Sequence, residues 1–209
     1  MMSQENNSNK KNLAILISNI GAGTNLRAII EAVKEGRINA VISAVVSDDI
    51  DAPGLRWAKE AELPIQISER KEELLAILQE LNPDYIALAG WKQIVLDSVI
   101  DAFPNRILNT HPGLIPDTAD GAVENPDGTS AIWNKGKMTN RAMQNFLDNH
   151  ATYAGCTNHF LSHEFDFGPV LGRCFEKIEQ GDTVESLYAR LKKKENELYV
   201  EVLERLCHQ

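Results

Sequence analysis

The sequence predicts an α/β fold: an open, mostly parallel sheet flanked by helices, ending in an antiparallel strand pair and a closing helix. Continuous apolar runs, L-A-I-L-I-S at residues 13–18 and D-Y-I-A-L-A-G at 84–90, mark strands buried on both faces. The segments between such runs carry apolar residues at helical spacing, and strands alternating with helices build right-handed βαβ units. Past residue 150 the order changes to two successive strand-like runs and one long amphipathic stretch. That change separates the parallel part from the antiparallel end.

Residues 13–18 form the first strand, and N-I-G-A-G-T-N at 19–25 is a glycine loop. A helix follows over 26–34, with Leu26, Ile29, Ile30 and Val33 at helical spacing and Thr24 or Asn25 as N-cap. Gly36 closes it. Residues 41–47 are the second strand, and Asp51, Ala52 and Pro53 open a helix through Leu55, Ala58 and Ala61. A short strand at 64–67 precedes an amphipathic helix at 69–81 carrying Leu74, Leu75, Ile77, Leu78 and Leu81. The strand at 84–90, a helix over 91–100 and a strand at 106–111 come next. Residues 117–128, rich in Asp, Gly and Asn, form a loop. Helical character returns at 130–133 and 140–149, divided at Gly136. Strands at 156–163 and 170–178 are joined by a turn at 164–169 and therefore pair antiparallel. From Thr183 to about Leu206, the positions Val184, Leu187, Tyr188, Leu191, Leu198, Tyr199, Val202 and Leu206 recur at helical intervals. In outline the arrangement is Rossmann-like.

At 209 residues, with 43% hydrophobic and 24% charged residues, the chain can bury a real core. A net charge of −9 argues against a nucleic-acid partner. Nothing approaches the apolar length of a membrane span. Residues 1–12, rich in Ser, Asn, Gln and Lys with no apolar core, read as a disordered leader, and 13–209 as a single domain. The three cysteines, Cys156, Cys174 and Cys207, are widely spaced without C-x-x-C. They predict free thiols and a cytoplasmic setting. The expected partners are small molecules, with the chain a monomer or homodimer.

Chemistry concentrates in R-I-L-N-T-H-P-G-L-I-P, residues 106–116. An apolar strand delivers Asn109 and His111, and because side chains alternate along a strand the two share a face. Alone, the pair is equally a polar strand end before a Pro-Gly turn, and a histidine at a crevice edge is expected to carry little packing. The glycine loop before the first helix is either a plain tight turn or an anion site, since glycines admit close approach and a helix N-terminus binds anions. It has neither the third glycine of a dinucleotide fingerprint nor the lysine of a P-loop. Both features end parallel strands, and ligands bind at that edge of open α/β sheets. Asp166, in the turn F-D-F-G-P at 165–169, is either a local cap or, if it approaches His111, a charge that favours imidazolium.

With these motifs the sequence resembles the folate-dependent formyltransferases, most closely the phosphoribosylglycinamide formyltransferases of purine synthesis. The matching pieces occur in one order: residues 17–26, P-D-Y-I-A-L-A-G-W at 83–91, 107–116, F-D-F-G-P-V at 165–170 and K-E-N-E-L-Y at 194–199. The resemblance implies that Asn109, His111 and Asp166 are the catalytic trio. It implies that Gly23, Thr24 and Asn25 hold the acceptor's 5′-phosphate and that Glu195 contacts the rest of the acceptor. The helical spacing independently puts Glu195 on the inward stripe of the last helix. The formyl donor implied is 10-formyltetrahydrofolate, set against Lys92, Gln93, Ile94 and Val95, with Arg70 as a further folate contact and no metal.

Three departures from the family pattern stand out. Residues 92–95 read Lys-Gln-Ile-Val where the family commonly has Met-Arg-Ile-Leu, which removes a guanidinium. Asn19 and Ile20 lengthen the phosphate loop. Residues 117–152 are longer than the family's segment and unlike it, which leaves open an acceptor that is a different sugar or nucleotide amine. From another class, His159 and His163 with Glu164 and Asp166 nearby suggest a metal-dependent hydrolase, against which stands a satisfied structural histidine.

Overall fold

The computed structural model describes residues 10–209. Its contacts cluster into two compact units, one running to Ile107 and taking in Val200–Gln209, the other Leu108–Tyr199. Residues 1–9 of the expected leader lie outside the described residues. Lys11 and Asn12, assigned to the leader by composition, instead begin the first strand.

In the first unit β1 (Lys11–Ile17) leads through α1 (Thr24–Lys34) to β2 (Ala40–Ser47), and α2 (Leu55–Glu60) leads to β3 (Ile65–Ile67). Then α3 (Leu74–Leu81) precedes β4 (Tyr85–Leu88) and α4 (Asp97–Ala102). The strand order is β3-β2-β1-β4 with every pair parallel. Leu13, Ala14, Ile15, Val45, Ile86 and Ala87 are fully buried, as continuous apolar runs require. The chain leaves β1 toward β2 and returns on β1's other side as β4. The C-terminal ends of β1 and β4 therefore flank a topological switch point, the crevice position of open α/β sheets.

Three helices start later than periodicity predicts, among them α2, which begins at Leu55 and not at Asp51. The segment expected to be helical from residue 91 is irregular until α4; Ser18 Oγ takes the Lys92 N–H at 2.9 Å, and Gly90 has a left-handed φ of 101°. Residues 69–73 form a turn before α3, with Glu73 N donating to the Arg70 carbonyl. At α1 the N-cap is Gly23 in left-handed conformation, with no side-chain cap, so neither Thr24 nor Asn25 caps the helix.

In the second unit, which holds all of β5 (Ile107–His111) but its first residue, β5, β6 (Tyr153–Phe160) and β7 (Val170–Lys177) are successive antiparallel neighbours. The expected C-terminal pair is thus present, and β6 is also antiparallel to β5. Helix α5 (Thr139–Asp148) and the inner face of α6 (Val184–Cys207) build the core with β6: Ala142, Met143, Phe146, Ala154, Leu187 and Leu191 pack together. Residues 130–133 are extended rather than helical. Glu124 bridges to Ser130, and Leu114 N donates to the Ile132 carbonyl at 3.0 Å. All three cysteines are free thiols. Among the described residues no helix is long and apolar enough to cross a membrane.

Candidate active site

Strand β5 sets Asn109 opposite His159 of β6 and His111 opposite Thr157. Asn109 and His111 therefore share a face, as their spacing predicts. Pro112 and Gly113 then end the strand. The turn is held by Thr157, whose Oγ1 donates to the Gly113 carbonyl at 2.7 Å and accepts from Ile115 N at 3.0 Å. Gly113 is obligatory: a Cβ there would lie 1.7 Å from the Trp133 carbonyl oxygen.

His111 is buried, with 2% of its surface exposed, which corrects the expectation of an edge histidine with little packing. Its Nδ1 lies 3.5 Å from Asp166 Oδ1, an ion-pair distance longer than a formed hydrogen bond. Its Nε2 is 2.7 Å from the Trp133 carbonyl. Asp166 occupies the β6–β7 turn with a left-handed φ of 51°. Gly136 N donates to Asp166 Oδ2 at 2.7 Å, and Trp133 Nε1 donates to the Asp166 carbonyl at 3.1 Å. Burial opposes ionisation of this carboxyl, but His111, by contact and charge, and the Gly136 N–H outweigh it. Together they hold Asp166 below the usual carboxylate range.

Asn109 Nδ2 lies 3.2 Å from His159 Nε2, and His159 Nδ1 lies 3.0 Å from the Phe160 carbonyl. Burial lowers the His159 pKa to about 4. The neutral ring donates through Nδ1 to the carbonyl and accepts at Nε2 from the Asn109 amide. With both ring nitrogens engaged, His159 has none to offer a metal. Among the described residues no group of three His, Cys, Asp or Glu could hold one.

Glu195 lies on the inward side of α6 and is 7% exposed. Its Oε1 accepts from Lys192 Nζ at 2.6 Å. Burial works against the Lys192 ammonium, yet Glu195 and Tyr188 more than offset it and raise its pKa above the ordinary value. Lys194 turns elsewhere, to the Phe175 carbonyl and to Glu176. Asn109, His111, Asp166 and Glu195 all belong to the second unit.

The glycine loop belongs to the first unit. Gly21 and Gly23 have φ of 71° and 68°, and Gly23 caps α1, whose first residues are Thr24 and Asn25. A Cβ on Gly23 would stand 2.8 Å from Gly54 Cα. The indole of Trp57 donates to the Ala22 carbonyl at 2.8 Å, so α2 braces the loop. Asn19 reaches Asp49 Oδ2 at 2.7 Å and accepts from Lys92 Nζ at 2.5 Å.

Lys92, Gln93, Ile94 and Val95 form an irregular segment beyond β4. Gln93 Nε2 donates to the Glu69 carbonyl at 3.0 Å, while Trp91 Nε1 and Gln93 Oε1 are buried without a partner. A segment with orphaned polar atoms fits a ligand rich in donors and acceptors. Ile94 is exposed. Arg70 is paired with Glu73 within the turn before α3.

His159 as Asn109's partner, Trp133 and Gly136 as Asp166's partners, and Lys192 on Glu195 are not evident from sequence spacing. Only the Lys192–Glu195 pair, at i and i+3 on a helix, carries a local signal. The others depend on strand register or on the course of a long loop.

The formyl transferase family model matches residues 11–203. The phosphoribosylglycinamide formyltransferase of Haemophilus influenzae is 33% identical over 198 residues, covering 90% of this chain and 84% of its own. The chloroplastic phosphoribosylglycinamide formyltransferase of Arabidopsis thaliana is 29% identical over 210 residues, covering 96% of this chain. The chain spans 66% of that relative's length and 62% of its counterpart from Vigna unguiculata. The crystal structure of glycinamide ribonucleotide transformylase 1 from Symbiobacterium toebii superposes with a TM-score of 0.81 at 30% identity, covering 100% of this chain and 91% of that one.

Proposed function

This chain belongs to the formyl transferase family, and from that premise we propose that it transfers the formyl group of 10-formyltetrahydrofolate to the amine of 5′-phosphoribosylglycinamide. The observation that carries the reading is the grouping of Asn109, His111 and Asp166, with His111 Nδ1 3.5 Å from Asp166 Oδ1 and Asn109 on the same strand face.

In the proposed reaction the acceptor's amine attacks the formyl carbon, and the carbonyl electron pair moves onto oxygen. Asn109 presents the second hydrogen of its amide to the developing negative charge, a preorganised donor, and His111 stands beside it on the same strand face. Collapse breaks the bond from carbon to N10 of the folate. N10 takes up a proton as the attacking amine loses one. His111 is assigned the acid role, and Asp166 the role of keeping its charge. Gly23, Thr24 and Asn25 are assigned the 5′-phosphate, which the backbone N–H groups of a helix start suit. Glu195 is assigned to the acceptor. The folate is assigned to Lys92, Gln93, Ile94 and Val95, where the backbone and orphaned polar atoms can read a pterin edge, and to Arg70.

A different amine acceptor is a second reading, favoured by Lys192 Nζ on Glu195 Oε1. That pairing gives the proposed acceptor carboxylate a partner of its own. Incubating the protein with 10-formyltetrahydrofolate and phosphoribosylglycinamide, beside phosphate-free amines and sugar-nucleotide amines, tests both. Formylation of phosphoribosylglycinamide at the highest kcat/KM supports the first reading. Preference for another amine moves the assignment to the second, and no transfer to any amine rejects both.

A further inference from the structure

Residues 132–136, part of the stretch least like the family pattern, run across the His-Pro-Gly turn and touch both members of the proposed acid pair. The Trp133 carbonyl meets His111 Nε2 at 2.7 Å. The Trp133 indole donates to the Asp166 carbonyl, and Gly136 N donates to the Asp166 carboxylate. The strap is fixed at every residue. Leu114 N holds the Ile132 carbonyl. Asn134, in left-handed conformation and 4% exposed, donates to the Pro112 carbonyl and accepts from Asn145. Lys135 pairs with Glu164 at 2.8 Å, and the Trp133 ring packs on Phe167 with centroids 5.8 Å apart. Gly113, where any Cβ would strike the Trp133 carbonyl, is what allows the strap to lie so close.

A backbone carbonyl can only accept a hydrogen bond, so Nε2 of His111 carries its hydrogen in the neutral as well as the charged ring. The proton that comes and goes must then sit on Nδ1. Two other titratable groups face His111: Asp166 from the β6–β7 turn, and His159 from β6, which burial keeps neutral. Nδ1 is the atom turned to Asp166. One residue, Trp133, therefore decides which nitrogen titrates through its carbonyl and holds the counter-charge in place through its indole.

Resting on the formyl-transfer reading, we propose that Trp133 is a positioning residue: it fixes His111 as the Nε2–H tautomer, makes Nδ1 the proton-transferring atom, and braces the turn that brings Asp166 to it. The tautomer is read without activity, from imidazole nitrogen shifts of the full chain in solution across pH, with the His111 signals identified by their absence in His111→Asn. The expected result is a protonated Nε2 throughout and a titrating Nδ1. A neutral ring protonated on Nδ1 overturns the proposal.

Trp133→Phe keeps a ring on Phe167 and removes the indole donor. It should lower kcat for formyl transfer about tenfold, the effect of losing one hydrogen bond that aims an acid pair. KM for both substrates should stay within twofold, and the pH profile of kcat should move. Unchanged kcat, or a lowered kcat with an unmoved profile, overturns the positioning role. If no acceptor is formylated by the wild type, the functional reading fails while the nitrogen shifts still decide the tautomer. They also decide it if Trp133→Phe does not fold.

Discussion

Asn109 and His159 face each other across the β5–β6 pair, and the Asn109 amide donates to His159 Nε2 at 3.2 Å. The direction of that bond follows from the other side of the ring, where Nδ1–H meets the Phe160 carbonyl. Turning the amide over would set its oxygen against the Nε2 lone pair. A buried neutral histidine thus fixes the orientation of the Asn109 amide and leaves its second N–H for a ligand.

This arrangement makes stability fall with acidification. The His159 pKa is about 4 in the folded chain against an ordinary 6.5. Between those values the unfolded chain takes a proton that the folded chain refuses. The resulting stability is complete above pH 6.5 and is lost as pH falls through 4, by about 3 kcal/mol in all. His159→Gln, which cannot titrate, should show a shallower loss of urea midpoint between pH 7 and 4.5 than the wild type. Equal slopes would mean that His159 does not carry the effect.

The sharing of one face by Asn109 and His111 was legible because it is a property of a single strand, set by alternation. The identity of their partners was not, since His159 meets Asn109 only through an antiparallel register that no local pattern specifies. Glu195's burial was readable from helical spacing. The course of residues 130–136 was not: those residues follow no local propensity and are held by long-range bonds to Leu114, His111 and Asp166. Residues 91–96 misled for a related reason. Their side chains suit a helix, but the Lys92 N–H is tied to Ser18, 74 positions away, a bond that no local pattern specifies.

Replacing Asp166 by Asn keeps its size and an acceptor for Gly136 N while removing the charge beside His111. That histidine helps hold the carboxyl below its usual range. Loss of the counter-charge disfavours the imidazolium, so the limb of the kcat profile reporting the pair should move to lower pH. The rate at neutral pH should fall by about a hundredfold, the range of general-acid effects. A profile with the limb in its original position would separate Asp166 from His111's protonation.

His111→Ala should abolish transfer, yet it will not be neutral to stability. The imidazole is 2% exposed and holds the Trp133 carbonyl, so its removal costs that hydrogen bond and the packing of a buried ring, about 1–3 kcal/mol. A folded protein with a lowered melting temperature and no detectable formyl transfer is expected, measured by calorimetry beside the assay. Retained transfer would remove His111 from the mechanism.

Two glycines in one loop offer a controlled test of the phosphate assignment. Gly21 and Gly23 both have left-handed φ, so alanine at either position costs about 1 kcal/mol of backbone strain. Only Gly23 is also crowded, with Gly54 Cα 2.8 Å from the site of a Cβ, whereas nothing lies within 4 Å of Gly21's. Strain alone would affect the two variants alike, and displacement of the loop only Gly23→Ala. If the loop binds the acceptor's phosphate equally in ground and transition states, its displacement raises KM and spares kcat. Gly23→Ala should therefore raise KM for phosphoribosylglycinamide at least tenfold with kcat within threefold, and Gly21→Ala should have much the smaller effect. KM values unchanged in both variants would place the phosphate elsewhere, and a fall in kcat alone would tie the loop to the chemical step instead of to binding.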